Sequence, residues 1–347
     1  MTIRSSAPSN YQQRVLGDRV MRALTLVATL IALIPLILII GNTTILGASA
    51  LSIDFFTKTY EPPAIAGFDP AADLSDLGLG IPDLTDGSFT DPLSSTNGLP
   101  DLSGVAGGPA IDNLEDKGAG FAEATTSGGV SHAIAGTLLV TGLALLLSLP
   151  IGILAAIFLA EYPGNPVATL VRFATDVLSG TPSIIAGTVA YIVIVLNFRQ
   201  FSGVAGAIAL MFLMVPTITR TTEEVLRLVP ETTREAALAL GAPMWYSTFT
   251  VVVPTAITGI VTGVLLAFAR GAGETAPLIL TVLGNNEFTT NLLGPIQALP
   301  LITYRYTESP YPGENLQAWG SAFILMMLVL TMNILVRFGT RNRLKGR

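Results

Sequence analysis

The sequence predicts an all-α, polytopic membrane protein with six transmembrane helices, and three observations carry that prediction. Half of the 347 residues are apolar and only 12% are charged, against about 25% charged in an ordinary soluble domain. Six mostly apolar runs, of roughly the 20 residues that cross a hydrocarbon core, recur at 22–41, 133–160, 181–198, 203–219, 255–283 and 318–337. The charge is also segregated. Residues 41–131 hold 13 Asp and Glu against Lys58 and Lys117, and the remaining chain holds 16 Lys and Arg against 11 Asp and Glu. Opposite balances in different segments place them on opposite sides of a bilayer.

Taken in order, residues 1–21 form a basic N-terminal segment with Arg4, Arg14 and Arg19, followed by the first span at 22–41. Ala48-Ser49-Ala50 has the A-x-A form of a signal-peptidase site. The apolar run before it nevertheless exceeds the 7–15 residues of a signal core, which favours a retained span. Residues 42–132 form an acidic, Gly/Pro-rich loop, and its Asp73, Asp76, Asp83 and Asp86 invite a calcium reading. The spacing does not fit an EF-hand, so an irregular acidic insertion is the plainer expectation. The spans of 133–337 follow, with Pro150 in LLLSLPIGIL predicting a kink that neighbouring helices accommodate, and 338–347 is a basic tail. Six spans put both basic ends on one side, which is then the cytoplasm. The acidic loop faces outward, and residues 220–254, with Arg220, Arg227 and Arg234, face the cytosol.

Several chemistries are excluded or made remote. There is no cysteine, hence no disulfide, thiolate or Cys-built metal site. A lone His132 argues against a histidine-built metal centre. No G-x-x-x-x-G-K-[ST] occurs, and none of Lys58, Lys117 and Lys345 follows such a loop, so a nucleotide-hydrolysing P-loop is missing. No catalytic residue, metal or bound cofactor is expected of this chain.

The cytosolic stretch REAALALGAPMWYSTFTVVVP at 234–254 is more than a connector needs. Thr232 and Glu235 have the capping-box spacing, alanines and leucines at 236–240 favour helix, and Gly241 suits a helix C′ position. Pro243 can open a second short helix at its first residue, and Val253-Pro254 predicts a further break. A helix, a glycine elbow and a second helix form a docking surface for a soluble partner. Glu235-Ala236-Ala237, Gly241, Val251 and Val253-Pro254 fit the spacing EAA-x₃-G-x₉-I-x-L-P. This closely resembles the cytoplasmic loop of ABC-importer permeases, which inserts into a cleft of an ATPase subunit. Glu235 has two readings, contact with the ATPase and simple capping of its helix.

The following span carries Arg270 and Glu274, four apart and therefore on one helix face. Intramembrane charges are costly and mark functional positions by default, the alternative here being a structural pair that locks two helices. A guanidinium offers a planar fork of donors that matches an oxyanion. The surrounding ARGAGETAPLI is similar to the PstA family of phosphate-importer permeases, as are SIDFFTKT at 52–59, HAIAGTLL at 132–139, LSGTPSIIAG at 178–187, TRTTEEVLRLVP at 219–230 and NILVRF at 333–338. The resemblance omits mainly the block at about 62–120.

What the resemblance implies is the permease subunit of an ATP-driven phosphate importer. Its partners would be a second, related permease, two ATPase subunits that use the ATP, and an extracytoplasmic phosphate-binding protein. Arg270 and then Arg220 are the expected phosphate-path residues, with Glu274 orienting Arg270; Arg220 also reads as a positive-inside anchor. Glu235, Ala236, Ala237, Gly241 and Pro254 mark the coupling loop. Arg172 and Asp176, also four apart, read as a pair on one interfacial helix. The hydroxyls of Thr181 and Ser183 are expected near the path, and Gly271 and Gly273 are expected to allow close helix approach. Two other classes stay open: an ion-gradient-driven oxyanion carrier, and a membrane-anchored interaction protein whose function would be lost with residues 62–120.

Overall fold

The computed structural model describes residues 11–61 and 128–344; the Asp-rich block and its calcium reading lie outside them. Helix α1 (Tyr11–Ser49) and the single turn α2 (Ile53–Thr57) precede the block. After it come α3 (Ser131–Glu161), α4 (Pro166–Gly180), α5 (Ser183–Phe198), α6 (Gly203–Arg227), α7 (Glu231–Ala239), α8 (Met244–Ala272), α9 (Ala276–Thr281), α10 (Leu299–Thr307) and α11 (Pro312–Leu344). Among the described residues no strand forms, and Leu283 and Ile296 make an isolated bridge.

Five of these helices (α1, α3, α6, α8 and α11) are long and apolar enough to cross a membrane, and α4 with α5 makes a sixth crossing if taken as one span. That pair is bent by 103°. The cause is Pro182, which holds Thr181 in extended backbone (φ −74°, ψ 130°) and leaves α5 to start afresh at Ser183. Pro150 lies within α3, which continues unbroken to Glu161.

The pair α3 and α6 forms the centre. Val140 and Ala144 of α3 and Leu210, Met214 and Ile218 of α6 are buried together, joined by Ala267 of α8 and Leu278 of α9. Small residues permit this approach: a Cβ on Gly152 would come 2.8 Å from Ile218 of α6. Ile296 and Leu301, from the irregular segment before α10 and from α10 itself, join the same core. The segment after α8 therefore folds back among the spans.

At the other end of α3, the two sides of the acidic insertion meet. The amide of Gly129 donates to Thr59 O (2.8 Å), Val130 to Phe55 O (2.9 Å), and Ser131 Oγ to Lys58 O (2.7 Å). Gly128 and Gly129 lie so close to the backbone of residues 54–61 that no Cβ fits at either position. Phe55 sits beneath this collar, packed with Leu299, Ile302 and Tyr306.

Candidate functional site

The fifth expected span, 255–283, ends early. Helix α8 stops at Ala272; Gly273 and Glu274 turn back onto Arg270 O and Gly271 O (both 3.2 Å), and the short α9 restarts at Ala276. Arg270 thus stands in the last turn of α8, where a cation meets the negative end of the helix dipole. Its Nε lies 3.7 Å from Glu274 Oε1; its side chain is 44% exposed and that of Glu274 18%. Depth along the bundle follows from Gly271, which packs against Met214 so closely that a Cβ would overlap the methionine's methyl. Met214 is near the middle of α6. The break and the guanidinium accordingly sit about halfway along the central helix, on a face that continues through exposed Leu266 and Thr262. Beside Gly273 and Thr275, a cavity of about 400 Å³ opens towards Thr303, Tyr304 and Thr307 of α10. Gly271 allows close helix approach, as its spacing suggested, whereas Gly273 has no side chain within 3.4 Å of its Cβ position and is exposed.

Arg220 lies two turns before the end of α6. Its Nη1 donates to Asp176 Oδ1 of α4 at 2.6 Å, and its Nε lies 3.5 Å from Glu224, with the side chain 59% exposed. One turn on, Glu223 accepts from Arg172 of α4 (2.8 Å) and pairs with Arg227 (2.7 Å). The expected Arg172–Asp176 pair on one helix does not form; each of the two residues crosses to α6. An ion pair across helices satisfies both members where the apolar stripe of α4 faces away, and i, i+4 spacing alone could not distinguish these partners. Ser183 begins α5 without a capping bond, and the Thr181 hydroxyl turns back onto Val177 O.

The loop between α6 and α8 is helix, elbow, helix, with three local corrections. Helix α7 begins two residues earlier than the capping box requires. Its N-cap is Pro230, so Thr232 is an exposed second residue and caps nothing. Gly241 takes φ +83°, the left-handed conformation that favours glycine. Pro243 is the residue before α8 rather than its first residue. Finally, Val253-Pro254 does not break the helix. A π-helical turn at Thr248–Val252 just upstream widens the ladder, so the ring and missing amide of Pro254 are accommodated and α8 runs on.

Glu235 and Ala236 are exposed, and Ala237 is half-buried. Leu240 is 89% exposed and Trp245 67%, so the tip carries apolar surface with nothing from this chain upon it. Beneath α7 a cavity of about 550 Å³ is bordered by Glu161, Arg227, Arg234, Glu235 and Thr248. Sequence reasoning missed Glu161 and Glu223. Both are acids near the C-terminal ends of their helices, a position where an unpaired carboxylate would oppose the helix dipole.

A family model described as "Binding-protein-dependent transport system inner membrane component" matches residues 148–342, more than half of the chain. The chain belongs to this family. Its members among curated proteins include the "Phosphate transport system permease protein PstA" of Yersinia pestis, 43% identical over 214 residues, which cover 61% of this chain and 72% of that one. The protein of the same description from Pasteurella multocida is 39% identical over 243 residues, covering 70% and 83%. "Phosphate transport system permease protein PstA 1" of Mycobacterium tuberculosis (strain CDC 1551 / Oshkosh) is 40% identical over 224 residues, covering 62% and 73%. Among solved structures, an inward-facing MetNI methionine ABC transporter aligns at 20% identity with a TM-score of 0.46, covering 63% of this chain and 94% of that one. This permease is a multi-pass membrane protein of the binding-protein-dependent class, and the PstA-like reading drawn from ARGAGETAPLI and the EAA-type loop holds.

Proposed function

We propose that this permease is one transmembrane half of an ATP-driven inorganic phosphate importer. The observation that carries the reading is Arg270: a guanidinium at mid-bundle depth, beside a helix break, on a face its own chain leaves open. A second, related permease is the natural cover for that face, and the path would run between the two subunits. Phosphate delivered outside by a binding protein meets donors matched to its oxygens. Glu274, at 3.7 Å, competes for the same guanidinium and keeps binding weak enough for release.

Arg220, at the cytosolic end of α6, is placed to receive the anion as it leaves, in exchange for Asp176. ATP is used by two ATPase subunits, and this chain binds no nucleotide or metal itself. Their docking surface is α7 with the start of α8, where Glu235, Ala236, Ala237 and Gly241 shape the knob and Leu240 and Trp245 supply exposed apolar area. Pro254 lies above it, inside the span. Closure of the ATPases displaces the knob and swings the spans outward; hydrolysis resets them. Both termini lie in the cytoplasm, and the membrane is the bacterial plasma membrane.

The test is reconstitution in proteoliposomes with the second permease, the ATPase and the phosphate-binding protein, followed by ATP hydrolysis with phosphate or sulfate added. Stimulation by phosphate alone is expected. Stimulation by sulfate would overturn the substrate, and uptake by the lone chain under a proton gradient would overturn the ATP-driven assembly.

A further inference from the structure

Helix α7 is held in an unusual way. None of its nine residues is buried, and none belongs to the apolar cluster at the cytosolic end, which is built from Ile157, Leu226, Val229, Val252, Ala256 and Ile260. Hydrophobic packing therefore fixes the span ends beneath the knob without fixing α7 itself.

The one α7 side chain that reaches through is Arg234, 20% exposed. Its Nη1 donates to Glu161 Oε1, on the last residue of α3. Its Nη2 donates to Leu226 O at 2.8 Å, in the last turn of α6. Glu161 depends on it, and Leu226 O, which also accepts from Val229 N at 3.3 Å, gains a second donor. Glu161 is only 7% exposed and sits at the negative end of α3, and a carboxylate there is disfavoured without a cation. Leu226 O is among the terminal carbonyls that an α-helix cannot satisfy internally. Arg227 Nη2, at 3.5 Å from Leu159 O, ties α6 to α3 alongside.

We infer that Arg234 is the positioning residue through which displacement of α7 reaches the membrane spans, with Glu161 and the end of α6 as its receivers. The inference rests on the coupling role proposed for the knob. Without the guanidinium, α7 keeps its backbone link at Pro230 and its packing on the start of α8, but loses its side-chain hold on the ends of α3 and α6. It then swings without carrying α3 and α6 along. The exposed docking tip, Leu240 and Trp245, is untouched by this change.

The test uses Arg234→Gln, Glu161→Gln and their combination in the reconstituted complex. The expected result is intact assembly and basal ATP hydrolysis, with phosphate taken up per ATP falling about tenfold in each single variant. The double variant is expected to be no worse than either single, because both remove one linkage. Arg234→Lys, which keeps the charge, should recover most of the ratio. An unchanged ratio, or independent multiplying losses, would overturn the inference.

A second measurement does not depend on transport. The chain has no cysteine, so spin labels on Thr232→Cys and Gly164→Cys report the α7-to-span distance cleanly. Arg234→Gln should broaden that distance distribution, and an unchanged narrow one would overturn the linkage even in a complex that transports. A wild-type complex with no phosphate-stimulated hydrolysis but a broadened label distance in the variant would instead remove the transport reading and leave the linkage standing.

Discussion

Arg172 of α4 donates to Glu223 of α6 across 2.8 Å, and Arg227 holds the same carboxylate at 2.7 Å. The Glu223 side chain is only 10% exposed, so this is one buried acid shared by two cations. Glu223→Ala leaves two arginines facing each other and should destabilise the folded subunit by about 2–3 kcal/mol, somewhat below the cost of breaking a fully buried pair because the arginines are 36% and 46% exposed. Asp176→Asn, in the neighbouring pair with Arg220 where both members are at least half exposed, should cost less than about 1 kcal/mol. Thermal unfolding in one detergent ranks the two, and an equal loss would show that burial is not what separates them.

Removing the guanidinium at mid-bundle depth tests the substrate path. Arg270→Gln should lower phosphate uptake by about a hundredfold, near 2.7 kcal/mol of binding and transport free energy, while the complex still assembles and inserts. Arg270→Lys keeps the charge without the planar fork and should fall between the two, at about a tenfold loss. If Arg270→Gln prevents assembly instead, the residue locks helices and does not contact substrate.

Close approach in the N-terminal half of α3 makes a steric prediction. The Cβ position of Gly136 falls on the backbone carbonyl of Gln297, which cannot give way as a flexible side chain would. Gly136→Ala should therefore cost about 3 kcal/mol, in the upper range for overpacking. Gly142, on the same helix, has nothing within 4 Å of its Cβ position, and Gly142→Ala should be neutral or gain up to about 1 kcal/mol. Melting of the two purified variants distinguishes them directly.

At the collar, burial and then the nearby Glu314 raise the Tyr60 hydroxyl above its ordinary value of 10.0, and Tyr60 Oη stands 3.3 Å from Glu314 Oε1. Tyr306, whose ring centroid is 6.2 Å from that of Tyr60, is raised for the same reasons in the same order. A pKa raised by folding means the native state holds the proton more tightly. The associated stability is complete below about pH 10 and is lost as pH climbs through the folded value. Alkaline unfolding of the wild-type protein should steepen above pH 10, and a Tyr60→Phe, Tyr306→Phe double variant should show a flatter dependence there.

What the sequence made readable follows the strength of each physical signal. The spans were legible because a run of some 20 apolar residues has few alternatives, and the knob was legible because Gly241 needs a conformation few residues share. The placement of Arg270 on a span-length helix was legible because a cation in apolar surroundings is expensive anywhere. The stop at Gly273 was hidden, since apart from Arg270 and Glu274 the run 255–283 is apolar, and glycine is common inside spans. The partners of Arg172 and Arg234, and Asp176 as a partner of Arg220, were hidden because they are set by tertiary packing. Each lies 44 or more residues away or on a terminal carbonyl, and helical spacing says nothing about such pairs. Pro254 misled because a proline reads as a break, while the π turn that absorbs it has no clear signature in the residues.

The collar has a consequence in time. The carbonyls of Phe55, Lys58 and Thr59 accept from Val130, Ser131 and Gly129, on the far side of residues 62–127. At the roughly 5–20 residues per second of chain synthesis, about 3–13 s separate the appearance of the two halves. During that interval α1 is already available for insertion, while α2 has no partner on which to close. The first span therefore enters the bilayer as an independent unit, and the end of the bundle that carries the collar is assembled by a late return of the chain to a place it left seconds before.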